Sequence, residues 1–274
     1  MSIKKHKNLT RTNDISPMQW VSLFLVGIFV VIPLLATALG GFKTTGELRK
    51  NPFGTPASWN PMNFIEIMSD STLFLLLLNS LLIAISTVFL SVVLSSMTAF
   101  AFAHVKFYGR SLLIRFMFLG LLFPAATAIL PLFLKLRDLG LLDSHLGIIL
   151  AQTAFSLSFS VLLFHNFFKE IPNELIEAAR MDNCGYVRTY IYIVLPLSLP
   201  IIATVGVFAF VGSWNNFLLP LVTLNTPEKY TWPLGIMQFR GEFGADWPKI
   251  LAYLTLTITP AIIFFFTVRP FQMP

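Results

Sequence analysis

The side chains able to do chemistry in this sequence are few, and they cluster. The densest group lies in Ile171 to Pro200, IPNELIEAARMDNCGYVRTYIYIVLPLSLP, which holds Glu174, Glu177, Arg180 and Asp182. A second group is Trp214-Asn215-Asn216, inside or beside a long apolar run. An aromatic ring beside two amides can stack on one face of a polyhydroxyl ligand while the amides bond its hydroxyls. The same amides can instead bond neighbouring helices, at about 0.6 kcal/mol each. Asn79 and Gln152 are further amides at membrane depth. Polar residues there tend to face a cavity or another helix. Asn79, Gln152, Trp214, Asn215 and Asn216 are therefore the candidate substrate pathway. His165, with Asn166 near the end of its run, is expected at the interface.

Catalytic patterns are missing. Gly40-Gly41-Phe42-Lys43-Thr44 has the wrong spacing for a G-x-x-x-x-G-K-[ST] phosphate loop. No H-E-x-x-H and no nucleophile elbow occurs. The four histidines, His6, His104, His145 and His165, are scattered. Cys184 is the single cysteine, so no internal disulfide and no Cys/His metal framework can form. The chain is expected to be neither an enzyme nor a metal protein.

These residues are carried by apolar elements. Of 274 residues, 55% are hydrophobic and only 12% charged, against about 25% charged in a typical soluble domain. Mean hydropathy is +0.75, and there are 28 Phe. Runs of about 20 apolar residues mark membrane spans. Six can be drawn, at about 18–39, 73–102, 112–134, 146–168, 198–224 and 250–268. The second exceeds one crossing, so it tilts or its end, Ala99 to His104, emerges. The first is too long for a signal-peptide core and reads as a retained span. The fold class is thus an all-α membrane protein. Residues 1–17 form an N-terminal segment, 18–268 one transmembrane domain, and 269–274 a short tail. Among the six spans there is no acid, which argues against proton coupling. No repeat of 20–50 residues and no low-complexity tract appears.

Charge sets the orientation. Lys4, Lys5, Lys7 and Arg11 precede the first span, and Lys106, Arg110 and Arg115 follow the second. The positive-inside rule puts both groups in the cytoplasm. Both termini and the 169–197 loop are then cytoplasmic. The external loops are 40–72, 135–145 and 225–249. Lys135, Arg137, Asp138 and Asp143 mix signs in the second, and Trp59 suits an interfacial position in the Pro/Gly-rich first. The net charge of +6 sits at span ends rather than on a basic stripe, which excludes a nucleic-acid partner.

The 169–197 loop is too polar to span. Pro172 suits a first helical position, and Glu174 and Glu177 suit the dipole of a first turn. Leu175, Ala178, Ala179 and Asp182 share neighbouring faces at three- and four-residue spacing. Asn183 and Gly185 tolerate the left-handed backbone that ends helices. A second segment, Tyr186 to Leu195, leads to Pro196 and Pro200, which reset the chain as it enters the membrane. A short helix with small residues on one face fits a partner's groove. Periodicity alone fits a helix lying on the bilayer equally well, although such helices carry a Lys/Arg-rich polar face.

The loop resembles the EAA loop of binding-protein-dependent ABC importer permeases. The matching residues are Glu177, Ala178, Ala179, Asp182, Ile193, Leu195, Pro196, Leu197 and Pro200, over about 24 positions. Asn183 stands where that family usually has Gly. Trp214-Asn215-Asn216-Phe217, Pro220, Thr231, Pro233-Leu234-Gly235, Asp246-Trp247 and Asn79-Ser80 are similar to carbohydrate permeases of the maltose type. The resemblance covers most of the chain. It implies an ABC importer type I transmembrane domain, the smaller permease of a pair, working with a second homologous permease, a cytoplasmic ATPase dimer and an external sugar-binding protein. Glu177, Ala178, Ala179, Asp182, Asn183 and Gly185 would dock the ATPase, with Leu195, Pro196 and Pro200 at the loop-to-span junction. ATP and Mg would belong to the ATPase, and no cofactor to this chain. Relatives commonly continue beyond the last span with an aromatic-basic stretch and a Gly/Ala-rich tail, whereas this sequence ends Val268-Arg269-Pro270-Phe271-Gln272-Met273-Pro274. The competing readings are a secondary transporter, an intramembrane enzyme, a membrane scaffold and an ABC importer of a non-sugar solute.

Overall fold

The computed structural model describes residues 16–241 and 244–268, with side chains up to 259. The basic residues of the N-terminal segment and the tail 269–274 lie outside the described residues. The helices run α1 (Pro17–Gly40), α2 (Thr45–Lys50), α3 (Met62–Ser69), α4 (Ser71–His104), α5 (Arg110–Leu119), α6 (Ala125–Asp138), α7 (His145–Glu170), α8 (Asn173–Met181), α9 (Tyr186–Thr189), α10 (Leu195–Leu197), α11 (Leu199–Trp214), α12 (Leu218–Thr223) and α13 (Trp247–Val268). They form two compact units, one of residues up to Ile67 and from Ala245 onward, the other of Met68–Gly244.

In the first unit, α1 starts at a capping box. Ser16 Oγ accepts from the Gln19 N–H at 3.3 Å, and Gln19 Oε1 accepts from the Ser16 N–H at 2.8 Å. At 1.5 Å per residue its length is about 36 Å, enough to cross a bilayer core. Gly40 is its one buried residue, and most of its apolar side chains are exposed on this chain. Gly41 requires glycine: a Cβ there would lie 2.9 Å from Ala252 Cα of α13 and closer still to Phe64 of α3. The next residue but one, Lys43, is 1% exposed. Its Nζ donates to the Asn51 carbonyl at 2.8 Å and the Pro52 carbonyl at 3.2 Å. The Gly40–Thr44 stretch is thus a packing corner. Two short helices, α2 and α3, occupy the region expected as a loop, and Trp59 stays 63% exposed with Phe42 edge-on at 5.4 Å.

The second unit is built on α4 and α7, with α11 packed beside them. Its apolar core comprises Ala99, Phe100, Phe102, Val161, Phe164, Phe168, Ile176, Val194 and Val205 at one end. Ile83, Ile148, Ile149, Leu219 and Leu234 form a second cluster. Between them Thr87, Ser91, Ser95 and Ser96 of α4 are all nearly inaccessible. Their small size lets helices approach. Ser91 Oγ lies 2.6 Å from Ser156 Oγ of α7, and Ser96 Oγ 2.7 Å from the Tyr190 hydroxyl. These contacts give the hydroxyl row a packing role. At about 51 Å, α4 outruns a bilayer core.

Two expected spans differ from continuous helices. The run at 112–134 is broken: after α5 and a 3-10 turn (Gly120–Leu122) the axis bends by 105° into α6. Pro124 precedes α6, and its missing N–H and pre-proline constraint on Phe123 stop the first helix. The run at 198–224 is helical to Trp214 and resumes only in the short α12, and at its start, Ser198, the preceding segment Tyr186–Leu197 meets α11 at 79°. Pro200 occupies the first turn of α11, where no donor is needed. Just before Pro196 the chain widens into one π turn, Tyr190–Val194, which relieves the clash of a proline ring with the preceding turn. Three described helices, α1, α4 and α7, are long and apolar enough to cross a membrane, and five segments qualify if each bent pair counts as one. The sixth expected span falls on α13, whose side chains from residue 260 lie outside the description.

Candidate functional site: the 171–197 loop and a helix-lined cavity

The loop is rooted by its apolar side. Ile171, Ile176, Ala179, Thr189 and Val194 are buried, and Ile171, Ile176 and Val194 join the cluster around Phe164 and Phe168. Pro172 caps α8, one position earlier than expected, and the helix begins at Asn173. At its other end Cys184 N–H donates to the Ala179 carbonyl at 2.9 Å, and Asn183 N–H to the Arg180 carbonyl at 3.0 Å. That pair of bonds is a Schellman motif, with Asn183 at φ 55° in its left-handed position. Asparagine thus serves where glycine is the usual choice. Arg180 lies over the Tyr186 ring at 5.4 Å, joining α8 to α9.

The opposite side is open. Glu174, Glu177, Ala178, Asp182, Asn183 and Gly185 are exposed, together with Met181 at 84%, Val187 at 70% and Tyr192 at 75%. Among the described residues, no salt bridge engages Glu174, Glu177 or Asp182. The loop therefore presents apolar side chains beside exposed acids, with Arg180 and Arg188 also exposed. Ala179 does not belong to that face; at 4% exposed it packs inward, because Ala178 and Ala179 are one residue apart on a helix. At the junction Leu195 is half-buried, and Pro196 and Pro200 are exposed.

The five pathway candidates separate. Gln152 and Asn216 both line a cavity of 290 Å³ between α4, α6, α7, α11 and α12. Gln152 is 6% exposed; its Oε1 accepts from Ser213 Oγ at 2.5 Å and Thr87 Oγ1 at 3.4 Å. Asn216 Oδ1 accepts from the Leu219 N–H at 3.2 Å, capping α12. Asn215 Nδ2 donates to the Val211 carbonyl at 3.0 Å, and Trp214 stacks on Phe210 at 5.6 Å; neither lines the cavity. Asn79 lies elsewhere: its Nδ2 donates to the Glu228 and Tyr230 carbonyls at 2.8 and 3.0 Å. Ser80 Oγ accepts from the Trp232 N–H at 2.7 Å. Both therefore tether the segment after α12. His165 has no part in the cavity. It is 3% exposed, with Phe102 and Phe118 rings 6.4 and 6.3 Å away, so it packs inside the unit and offers no free surface.

Asp143, expected only as one of the mixed charges of the 135–145 loop, sits at φ 51° in the turn before α7 and has a structural role the sequence did not signal. Its carboxylate accepts from Lys229 Nζ at 2.8 Å, Thr226 Oγ1 at 2.6 Å and the Asn225 and Thr226 N–H groups at 3.0 Å. The Lys229 ammonium foremost, then these donors, hold its pKa far below the usual aspartate range. Its partners are some 80 residues away in sequence, beyond any local signal. Thr87 and Ser213 also escaped notice as cavity residues, since isolated hydroxyls in apolar runs read as packing.

Comparison with known proteins now decides the family. Residues 91–271 match the binding-protein-dependent transport system inner membrane components. The chain belongs to that family. It is 32% identical over 243 residues to the permease protein of the diacetylchitobiose uptake system of Streptomyces coelicolor, covering 88% of this chain and 80% of the relative. It is 35% identical to the sulfoquinovosyl glycerol transport system permease of Agrobacterium fabrum (90% and 87% covered). It is 31% identical to the arabinooligosaccharide transport system permease of Halalkalibacterium halodurans (89% and 88% covered). A bacterial ABC transporter that imports the acidic polysaccharide alginate shares the fold, with TM-score 0.78 at 21% identity over 93% of this chain and 95% of that one. The protein is a multi-pass inner-membrane transport component, and as such not itself an enzyme.

Proposed function

We propose that this chain is one permease subunit of an ATP-driven sugar importer. Its six spans, with both ends cytoplasmic, would form the pathway with a second permease, and an external sugar-binding protein would deliver the ligand. The exposed face of α8 would dock a cytoplasmic ATPase dimer, which alone binds ATP and Mg. The observation that supports this is the arrangement of the 171–197 loop in a chain of this family. One side is anchored in the core by Ile171, Ile176 and Val194, while the other offers Glu174, Glu177 and Asp182 without internal partners. A rigid root with an unpaired face suits transmission of motion. The sugar class follows from three relatives named for chitobiose, sulfoquinovosyl glycerol and arabinooligosaccharide transport. Membership of a binding-protein-dependent family leaves no place for a stand-alone secondary carrier.

Charge reversal at the docking face is the direct test. Glu177→Lys should abolish ATPase co-purification and sugar uptake while the chain still inserts in the membrane, because Glu177 is exposed and holds no internal bond. Retention of both activities would rule out docking through α8.

A further inference from the structure

Tyr190 stands where the 171–197 loop meets the long helix α4. Its hydroxyl lies 2.7 Å from Ser96 Oγ. Ser96 is 1% exposed, and its own proton goes to the Val93 carbonyl at 3.2 Å. A serine hydroxyl has one proton to give, so in this bond Tyr190 donates and Ser96 accepts. The Tyr190 ring makes a second contact with the same helix, its centroid 5.3 Å from that of Phe100, one turn beyond Ser96. Among the described residues, no other side chain of the loop hydrogen-bonds α4.

The same residue closes the π turn. The Leu195 N–H donates to the Tyr190 carbonyl, five residues back, where an α-helix would use four. Pro196 follows and has no N–H, so the next helical bond is missing. A turn that is wide and short of one bond deforms more readily than the helices beside it. Its far end is fixed, because Val194 is wholly buried and its carbonyl accepts from Ser198 Oγ. Between the two ends Ile191 and Tyr192 are 45% and 75% exposed. The turn is thus held by burial at Val194 and by one hydroxyl bond at Tyr190.

We propose that Tyr190 is a positioning residue for coupling: its hydroxyl latches the loop to α4, so that displacement of the loop reaches α4 through Ser96 and not only along the chain through Pro196 and Pro200. The proposal rests on the importer reading above, and it concerns how movement leaves the loop rather than what the loop docks on. One interhelical hydroxyl bond is weak, so it can break and re-form within a transport cycle. Without it the acids of α8 are untouched and the ATPase still docks, but part of each ATP-driven movement is lost before α4 responds. Two variants remove the bond from opposite sides. Tyr190→Phe keeps the ring beside Phe100 and removes the donor. Ser96→Ala removes the acceptor.

The test uses the complete importer in proteoliposomes with its binding protein. Diacetylchitobiose, sulfoquinovosyl glycerol and arabinotriose are the solutes, and the quantity read is solute imported per ATP hydrolysed. Each variant should lower that ratio about three-fold, the factor carried by one interhelical hydroxyl bond in a membrane. The double variant should be no worse than either single one, since both remove the same bond. ATPase co-purification should stay as in the unmodified complex. A merely structural role would lower ATP hydrolysis and uptake together and leave their ratio unchanged. An unchanged ratio in either single variant, or additive losses in the double one, overturns the latch and leaves the importer reading standing. Loss of ATPase co-purification in Tyr190→Phe also overturns it, by making Tyr190 part of the docking face. If the unmodified complex imports none of the three solutes at the expense of ATP, the importer reading falls for these solutes, and the latch with it.

Discussion

At the residue scale, two positive-φ residues carry much of the local design. Asn183 closes α8 in a left-handed conformation that β-branched residues resist. Asn183→Gly should leave the loop intact, whereas Asn183→Val should destabilise it by about 1–2 kcal/mol. Protease nicking between residues 171 and 200 in inside-out vesicles measures the difference. Asp143 is the second, and its pH behaviour has a definite sign. Its folded pKa is depressed, so its stabilising effect is present above the ordinary value of 3.8 and is lost as pH falls below that toward the folded value. The tether between the α7 turn and residues 225–229 should therefore be insensitive to pH between about 5 and 8 and weaken only in stronger acid. Hydrogen exchange of the Asn225 and Thr226 amides reports this directly. Asp143→Asn should speed that exchange at neutral pH, because the Lys229 ammonium loses its counter-charge.

At the scale of elements, the α4–α7 contact depends on small side chains. Ser91 is wholly buried and within 2.6 Å of Ser156 across the pair. Ser91→Ala removes one interhelical hydrogen bond and should cost only about 0.6 kcal/mol. Ser91→Leu inserts volume where helices touch and should cost about 1–3 kcal/mol through overpacking. Thermal unfolding of the protein in detergent distinguishes the two. The long apolar runs made the helices themselves legible from sequence. The bend at Ser198 lies between Pro196 and Pro200, where the sequence expects the chain to reset; the bend at Phe123–Pro124 was not legible, because proline in an apolar run is equally compatible with a kinked span and with a break. Neighbouring helices decide which occurs.

At the scale of the whole molecule, the single cysteine tests orientation. Cys184 is half-buried in the loop assigned to the cytoplasm. A membrane-impermeant maleimide should label it in inside-out vesicles and leave it untouched in intact cells. Labelling from outside would invert the topology and remove α8 from the ATPase. The exposed face of α8 and the cavity belong to one compact unit, both built around α7 and α11.

Local rules were enough for the membrane class, the loop helix, its left-handed end at Asn183 and the family motif. Hydropathy, capping and φ preference each act within a few residues of chain. Contacts across many residues obeyed no such rule. The EAA loop kept its helix, but only packing could reveal that Ile176 and Ala179 root it while Glu177 and Ala178 face outward. The amides divided in the same way. Asn79 became a tether, Asn215 bonded its own helix, and Gln152 met Thr87, Ser213 and Asn216 at one cavity. An amide in an apolar run must find partners, and sequence states that need. Which partners lie within 3 Å depends on how α4, α7 and α11 cross, which is a property of the folded chain.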